Sequence, residues 1–161
     1  METAALEYVG FWARAGATII DTVLILMVTT PLMLAFHGDS YWVYSDSYWL
    51  YTALTEGPIG FLVTWVLPAI AVIIFWMTKQ ATPGKMVISA TIVDADSGKA
   101  PTTGQLIGRY LAYYVSSIPL GLGFLWVAFD RKKQGWHDKL AGTVVVRPKH
   151  RRPEQVTFKN A

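Results

Sequence analysis

The chain has 161 residues, the length of one domain, of which 53% are hydrophobic and 16% are charged. Average soluble domains carry about 25% charged residues, so this composition excludes an ordinary soluble globular domain. Because the sequence contains no Cys, disulfides, thiolate metal sites and thiol nucleophiles are excluded as well.

The positive charges are distributed unevenly along the chain. No Lys or Arg occurs between Ala15 and Thr78, whereas nine of the fourteen lie in the last 31 residues. Such asymmetry indicates a membrane that separates two differently charged sides. Residues 1–8 are acidic, and the apolar run that follows them is too long for the apolar core of a signal peptide, so we expect the first helix to remain as an anchor.

The first apolar segment covers residues 11–36. As a helix, these 26 residues would reach about 39 Å, which is more than the hydrocarbon core of a bilayer, roughly 30 Å. We expect the helix to tilt or to begin in the interface, and Pro31 to kink it near its end.

An aromatic loop follows at residues 37–57. Within it Ser40-Tyr41-Trp42 recurs seven residues later as Ser47-Tyr48-Trp49, a spacing that places both copies on one helical face. Trp and Tyr prefer the depth of the lipid headgroups, so one interpretation is an interfacial belt. The other is a docking surface for a partner subunit.

The second apolar segment, residues 58–78, carries no charge and has the length of a membrane span. We expect Pro68, at its centre, to kink it. The polar stretch behind it contains a β-prone run at residues 86–93, and a second such run lies at residues 143–146. Because a lone strand is unstable, we expect the two runs to pair into a small sheet.

The third apolar region, residues 104–129, begins as an amphipathic helix. Its polar face includes Gln105, Arg109 and Ser116. Ser117, Pro119 and two glycines then interrupt the pattern. A broken helix of this kind favours a re-entrant hairpin over a simple span.

Charge then decides the predicted topology. The positive-inside rule places the aromatic loop outside and both basic stretches inside, whereas three full spans would send the basic tail outside. We therefore predict a single domain, residues 1–161, of the all-α membrane class with two transmembrane helices, a re-entrant third segment and a small cytoplasmic β element. The basic tail, residues 130–161, and both termini lie on the cytoplasmic side of the membrane.

Ionisable residues inside membrane segments cost at least about 2.5 kcal/mol each and need partners. The segments contain Arg14, Asp21 and Arg109, and the tail adds Asp130 and Asp138 as possible partners. Arg14 and Asp21 lie about 10.5 Å apart along one helix, so they do not pair easily, and Arg109 is the best partner for Asp21. The resulting network is either a structural ion pair or a site that exchanges a proton or a small cation.

The basic residues of the tail predict binding to anionic lipid and not to nucleic acid. The lipid-binding candidates are Arg131, Lys132, Lys133, Lys149, Arg151 and Arg152. The three His residues lack ligand spacing, and no cofactor motif is present, so we predict neither a metal site nor a cofactor.

Four motifs occur together in this order: Gly-Phe-Trp-Ala-Arg at residues 10–14, Thr-Pro-Gly-Lys at 82–85, Pro-Leu-Gly-Leu-Gly-Phe at 119–124 and His-Asp-Lys-Leu-Ala-Gly-Thr at 137–143. In this combination the chain resembles the RDD family of bacterial membrane proteins, named for one arginine and two aspartates. The resemblance makes Arg14 the arginine and Asp21 the first aspartate. The second is Asp138 or Asp130.

Two functions stay open from the sequence. The resemblance implies transport, in some members cation–proton antiport, and two spans would need a homo-oligomer to form a pathway. The small size and the aromatic loop instead favour an accessory subunit of a larger membrane complex. No nucleophile–base pair or metal set points to an enzyme.

The topology is directly testable. We expect a reporter that is active only in the periplasm to stay silent when it is fused at Ala161, because nine positive charges precede the fusion. Strong periplasmic activity of this fusion would mean three full spans and would refute the re-entrant segment.

Overall fold

A computed structural model describes residues 5–37 and 57–149. In chain order the elements are β1 (Leu6–Tyr8), α1 (Phe11–His37), α2 (Gly57–Phe61), a π-helical stretch (Leu62–Val66), α3 (Leu67–Lys79), α4 (Pro83–Val87), β2 (Thr91–Asp94), α5 (Thr103–Ser117), α6 (Leu122–Leu125), a 3-10 turn (Trp126–Ala128), α7 (Trp136–Ala141) and β3 (Thr143–Pro148). Most of the aromatic loop, together with Arg151 and Arg152 of the predicted tail, lies outside the described residues.

Two stretches of the described residues are long and apolar enough to cross a membrane, Phe11–Phe36 and Leu62–Val87. The first agrees with the predicted segment and continues through Pro31 as one helix. In the second, the π-helical stretch precedes Pro68, where the amide of Leu67 donates to the carbonyl of Leu62. Because proline cannot donate and its ring crowds the preceding turn, a wider turn at this point relieves the clash.

The third apolar region is broken, as predicted. Thr103–Ser117 and Leu122–Ala128 meet at a bend of 113°. Leu120 and Gly121 both adopt positive φ in the turn, a conformation that glycine tolerates well. Beyond the turn, a Cβ on Gly123 would lie 2.6 Å from the Cα of Ser116, so the returning segment packs against α5 closely enough to require glycine.

Helix α5 turns its polar face inward. Arg109, Ala112 and Ser116 are buried together with Leu106, whereas Ile107, Leu111, Tyr114 and Val115 are exposed. A soluble protein buries the apolar face of such a helix. The reversed arrangement suits apolar surroundings, in which polar side chains face the protein interior.

The sheet has three antiparallel strands in the order β1-β3-β2. Tyr8 pairs with Val146 on one side of β3, and Ile92 pairs with Val145 on the other side. The β-branched run Thr143–Val146 therefore forms the centre of the sheet, where such side chains pack well. A buried apolar cluster joins the sheet to α3 and α5 and comprises Val9, Trp76, Ala90, Ile92, Leu106 and Val145.

Three parts of this sheet differ from the prediction. Of the predicted strand at residues 86–93, only Thr91–Asp94 is extended, because Pro83 begins the short helix α4. Strand β1 was not predicted, since three residues are too few to show a pattern. Strand β3 contains the predicted run at residues 143–146 and pairs with β2 as expected, but it extends to Pro148, and helix α7 before it was not predicted.

Helix α4 lies against α1 at very short distance. A Cβ on Gly84 would overlap the carbonyl oxygen of Ala17. Since that oxygen belongs to the backbone of a long helix, it cannot move aside without displacing the helix.

We therefore expect Gly84→Ala to destabilise the protein by about 1–3 kcal/mol, the usual cost of overpacking. Gly16→Ala in α1 is the matched control, because an added Cβ there meets no atom within 4 Å. The measurement is the thermal unfolding of both variants in detergent. Equal melting temperatures would show that α4 does not contact α1 this closely.

Candidate functional site

A buried carboxylate bridges two guanidinium groups. Asp138 in α7 is fully buried, and its Oδ2 lies 2.5 Å from Nη1 of Arg14 in α1. Its Oδ1 lies 2.6 Å from Nη2 of Arg109 in α5. The angles at this second contact do not make a hydrogen bond, so the contact is an ion pair by distance. One carboxylate thus connects three helices.

The two arginines differ in how far they are satisfied. Arg14 also donates through Nε to the carbonyl of Val9 at 3.0 Å and through Nη2 to that of Lys133 at 2.6 Å. The guanidinium of Arg109 lies 5.0 Å from the ring centroid of Trp76. Its Nε and Nη1 find no acceptor within the described ranges. Leaving buried donors unpaired is costly, so an acceptor that reached the guanidinium of Arg109 would stabilise it.

Asp21 belongs to a separate contact. Its carboxylate accepts a hydrogen bond from the hydroxyl of Thr82 at 2.6 Å and one from the amide of Gly84 at 2.7 Å. The expected pairing of Asp21 with Arg109 is therefore wrong, because Arg109 pairs with Asp138. Within the described residues, 5–37 and 57–149, no basic side chain forms an ion pair with Asp21. Asp21 lies two helical turns beyond Arg14 and faces the start of α4 instead.

Lys85 is the site residue that sequence reasoning missed. Lys85 is only 7% exposed. It follows Gly84, whose amide donates to Asp21. The ammonium lies 5.7 Å from the ring centroid of Trp76, and no hydrogen bond or ion pair to it occurs in the part of the chain that the structure describes. In the sequence it appears only as the last residue of the motif Thr-Pro-Gly-Lys and has no predicted role in the site, because a lysine after an apolar span usually marks the interface. The signal that it is buried is Pro83, which starts a new helix there.

His137 lies beside the bridging carboxylate and is almost fully buried. Its backbone amide donates to the hydroxyl of Ser116 at 3.1 Å, and its ring packs edge-on against Tyr113. Burial, aided by the nearby arginines, lowers the pKa of His137 to about 3 although Asp138 opposes this shift. The ring is therefore neutral at pH 7.

Asp138 is ionised for the opposite reason. Burial would raise the pKa of Asp138, but the charges of Arg109 and Arg14 outweigh burial and hold it well below its usual range. The carboxylate is therefore negative at pH 7 and carries the counter-charge of the two arginines.

A cavity of about 470 Å³ lies beside this bridge. Its walls are mainly apolar, and its polar lining includes four side chains of basic residues: Arg14, Lys85, Arg109 and His137. No acidic residue lines it within the described residues. In the same part of the chain no group of three His, Cys, Asp or Glu residues is placed to hold a metal ion.

The remaining predicted site residues lie outside this cluster. Asp130 pairs with Lys139 at 2.6 Å and accepts from the amides of Lys132 and Gln134. Burial would raise the pKa of Asp130, but these bonds to its carboxylate outweigh it and lower the pKa. Of the predicted lipid-binding residues, Arg131, Lys132 and Lys149 are exposed, and Lys133 donates to the carbonyl of Ala128 at 3.0 Å.

Comparison with known proteins places this arrangement in a family. The model of the RDD family matches residues 8–142. The chain belongs to the RDD family. The match contains the bridge, the contact of Asp21 and the cavity. Of the residues that the resemblance assigns to the family pattern, Arg14 contacts Asp138, whereas the carboxylate of Asp21 accepts hydrogen bonds at the start of α4.

The chain is also similar to two proteins that have no described function. It is 29% identical over 148 residues to the uncharacterized protein YxaI of Bacillus subtilis (strain 168), a match that covers 85% of this chain and 95% of that one. It is 44% identical over 75 residues to the uncharacterized protein RP437 of Rickettsia prowazekii (strain Madrid E), covering 47% of this chain and 41% of the relative. No solved structure matches.

We expect substitution of the two candidates for the second family aspartate to lower the stability of the protein by very different amounts. Asp138→Asn leaves two guanidinium groups without a counter-charge and should cost about 3–5 kcal/mol, as the loss of one partner from a buried pair does. The matched change Asp130→Asn should cost at most about 1 kcal/mol, because Lys139, its partner, is 43% exposed. Thermal unfolding in detergent measures both, and losses of equal size would contradict a central role for Asp138.

Proposed function

We propose that this RDD-family chain is a multi-pass protein of the bacterial inner membrane, with both termini cytoplasmic, and that it binds an anionic organic solute in the cavity beside Arg109. The two apolar stretches and the outward apolar face of α5 support membrane insertion. The uneven distribution of Lys and Arg supports the orientation. The binding proposal depends on one observation: Arg14, Lys85 and Arg109 line the cavity, and no acidic residue among the described ones does.

The balance of charge at the cavity favours an anion. When Lys85 is protonated, the three cations Arg14, Lys85 and Arg109 outnumber the two nearby carboxylates, Asp21 and Asp138, by one. Buried charges are stable only when they are paired. An anion that enters the cavity would supply the missing counter-charge and an acceptor for Arg109.

Cation–proton exchange, which the family resemblance implies, fits this geometry less well. Such a site needs a carboxylate that is free to bind a cation or to exchange a proton. Asp138 is occupied by two arginines, and both oxygens of Asp21 accept hydrogen bonds from Thr82 and Gly84. We therefore propose transport of the bound anion, through a homo-oligomer that provides the additional walls of a pathway.

The second proposal is a non-enzymatic accessory subunit of a larger membrane complex. The observation in its favour is the exposed apolar surface of α1, where Trp12 is 84% exposed and Met27 is 68% exposed. In this case the bridge serves the fold alone. In both proposals the predicted lipid-binding residues bind anionic lipid headgroups of the cytoplasmic leaflet; these are Arg131, Lys132, Lys133, Lys149, Arg151 and Arg152.

Binding of hexanoate to the purified protein in phosphatidylcholine nanodiscs tests the proposal, with 1-hexanol as the uncharged control. We expect hexanoate to bind with saturation and Lys85→Gln to weaken this binding about tenfold, the effect of losing roughly 1.4 kcal/mol of a charge-assisted contact. Isothermal titration calorimetry gives both affinities.

Lys139→Gln is the matched control, since it removes the same charge from an exposed position and should leave the affinity unchanged. Equal binding of hexanoate and hexanol, or equal affinity in wild type and Lys85→Gln, would refute the anion site. Co-migration with a larger complex on a native gel, together with absent hexanoate binding, would instead support the accessory subunit.

A further inference from the structure

The cavity beside Arg109 is built for more than a small ion. Its volume of about 470 Å³ lies within the range of pockets for organic ligands, about 300–1,000 Å³. The walls are formed largely by apolar side chains, among them Phe11, Ile19, Phe124 and Val127. A strongly hydrated anion would lose its water against these walls without compensation, whereas an alkyl chain would be stabilised by them.

The polar part of the cavity suits an oxyanion headgroup. Arg109 is fully buried, and its Nε and Nη1 lack acceptors within the described residues. The planar guanidinium presents paired donors that match the oxygens of phosphate or carboxylate. Lys85 adds a second cation to the same lining. One part of the lining is therefore cationic and the remainder is mostly hydrocarbon.

The wall formed by α1 is accessible from the outside of the protein. Ile19 lines the cavity and is nonetheless 66% exposed, and Thr18 beside it is exposed as well. Because α1 is a candidate span, this exposed side faces lipid when the helix is in a bilayer. A ligand can then enter sideways from the membrane.

The position of the cavity along α1 also corresponds to the part of a bilayer that holds a lipid headgroup and the first part of its acyl chain. Its lining residues on α1 extend from Phe11, the first residue of the helix, to Ile19, a distance of about 12 Å along the axis. With the N-terminus in the cytoplasm, this part of α1 lies in the cytoplasmic leaflet. Arg14 and the cations that it accompanies are then close to the plane of the phosphates.

We infer that the anion is an anionic membrane lipid, which enters past α1, places its headgroup oxygens against Arg109 and Lys85 and lays the start of an acyl chain along Phe11, Ile19 and Phe124. The inference deepens the proposed anion site, on which it rests, by naming the class of ligand. It is distinct from attraction of lipids to the exposed basic residues, because Lys85 and Arg109 are buried.

Native mass spectrometry of the protein released from nanodiscs of phosphatidylglycerol and phosphatidylcholine tests this inference. We expect wild type to retain phosphatidylglycerol in at least tenfold preference to phosphatidylcholine. Lys85→Gln should reduce the retained phosphatidylglycerol to about a tenth, whereas Lys139→Gln, which removes an exposed cation, should retain it fully. Lys85→Arg, which preserves the charge, should also retain it and covers the case in which Lys85→Gln does not fold.

A second variant addresses the chain separately from the headgroup. Ala15 lines the cavity from α1, so Ala15→Phe should fill the apolar part and lower the retention of phosphatidylglycerol, while Lys85 and Arg109 keep their contacts. Its melting temperature shows whether the variant is folded.

Each remaining outcome has one meaning. Equal retention of phosphatidylglycerol by wild type and Lys85→Gln would place the lipid on the surface and overturn the inference. Hexanoate binding that depends on Lys85, without retained phosphatidylglycerol, would overturn the lipid as ligand and leave the anion site standing. Failure of both probes would refute the anion site itself.

Discussion

The fold of this RDD-family protein depends on the contact of one carboxylate with two guanidinium groups. Asp138 joins α1 through Arg14 and α5 through Arg109, and it belongs to α7, which directly precedes the central strand of the sheet. Each partner alone would be an unpaired charge in a buried place, and a pair of this kind is stable only when all members are present. The bridge thus couples the membrane-type helices to the β element.

The apolar part of this architecture could be predicted from the sequence, because chain length and hydrophobicity alone define a span. Residues 11–36 and the broken region at 104–129 were found in this way. The sheet was predicted only in part, since five of the eight residues at 86–93 are β-branched, while the helix that begins at Pro83 extends to Val87 and takes up the first two of them. Strand β1 depends on its pairing with β3, which no local pattern shows.

The charged site was harder to predict than the spans. The sequence identified Arg14, Asp21, Arg109 and Asp138, because ionisable residues in apolar segments need partners. The predicted partner of Asp21, Arg109, was wrong, however, because the partner of a buried charge depends on how the helices approach one another in space. Asp21 instead accepts hydrogen bonds from a hydroxyl and a backbone amide. A search for charged partners in the sequence does not find such donors. Within the described residues Arg109 therefore keeps Nε and Nη1 without an acceptor, and Lys85, next to Gly84, becomes part of the site.

The contact of Asp21 with Thr82 and Gly84 matters for the site because Lys85 follows Gly84 in the chain. By binding Thr82 and the amide of Gly84, Asp21 fixes the first turn of α4 against α1, and Gly84 allows that approach because it has no Cβ. The next residue is Lys85, whose position over Trp76 is thereby determined. The first family aspartate thus acts on the cavity through Lys85, which lines it together with Arg14 and Arg109. In the proposed anion site, the arginine and both aspartates would act together: the two carboxylates would position the cations, and the surplus positive charge would be available to a ligand.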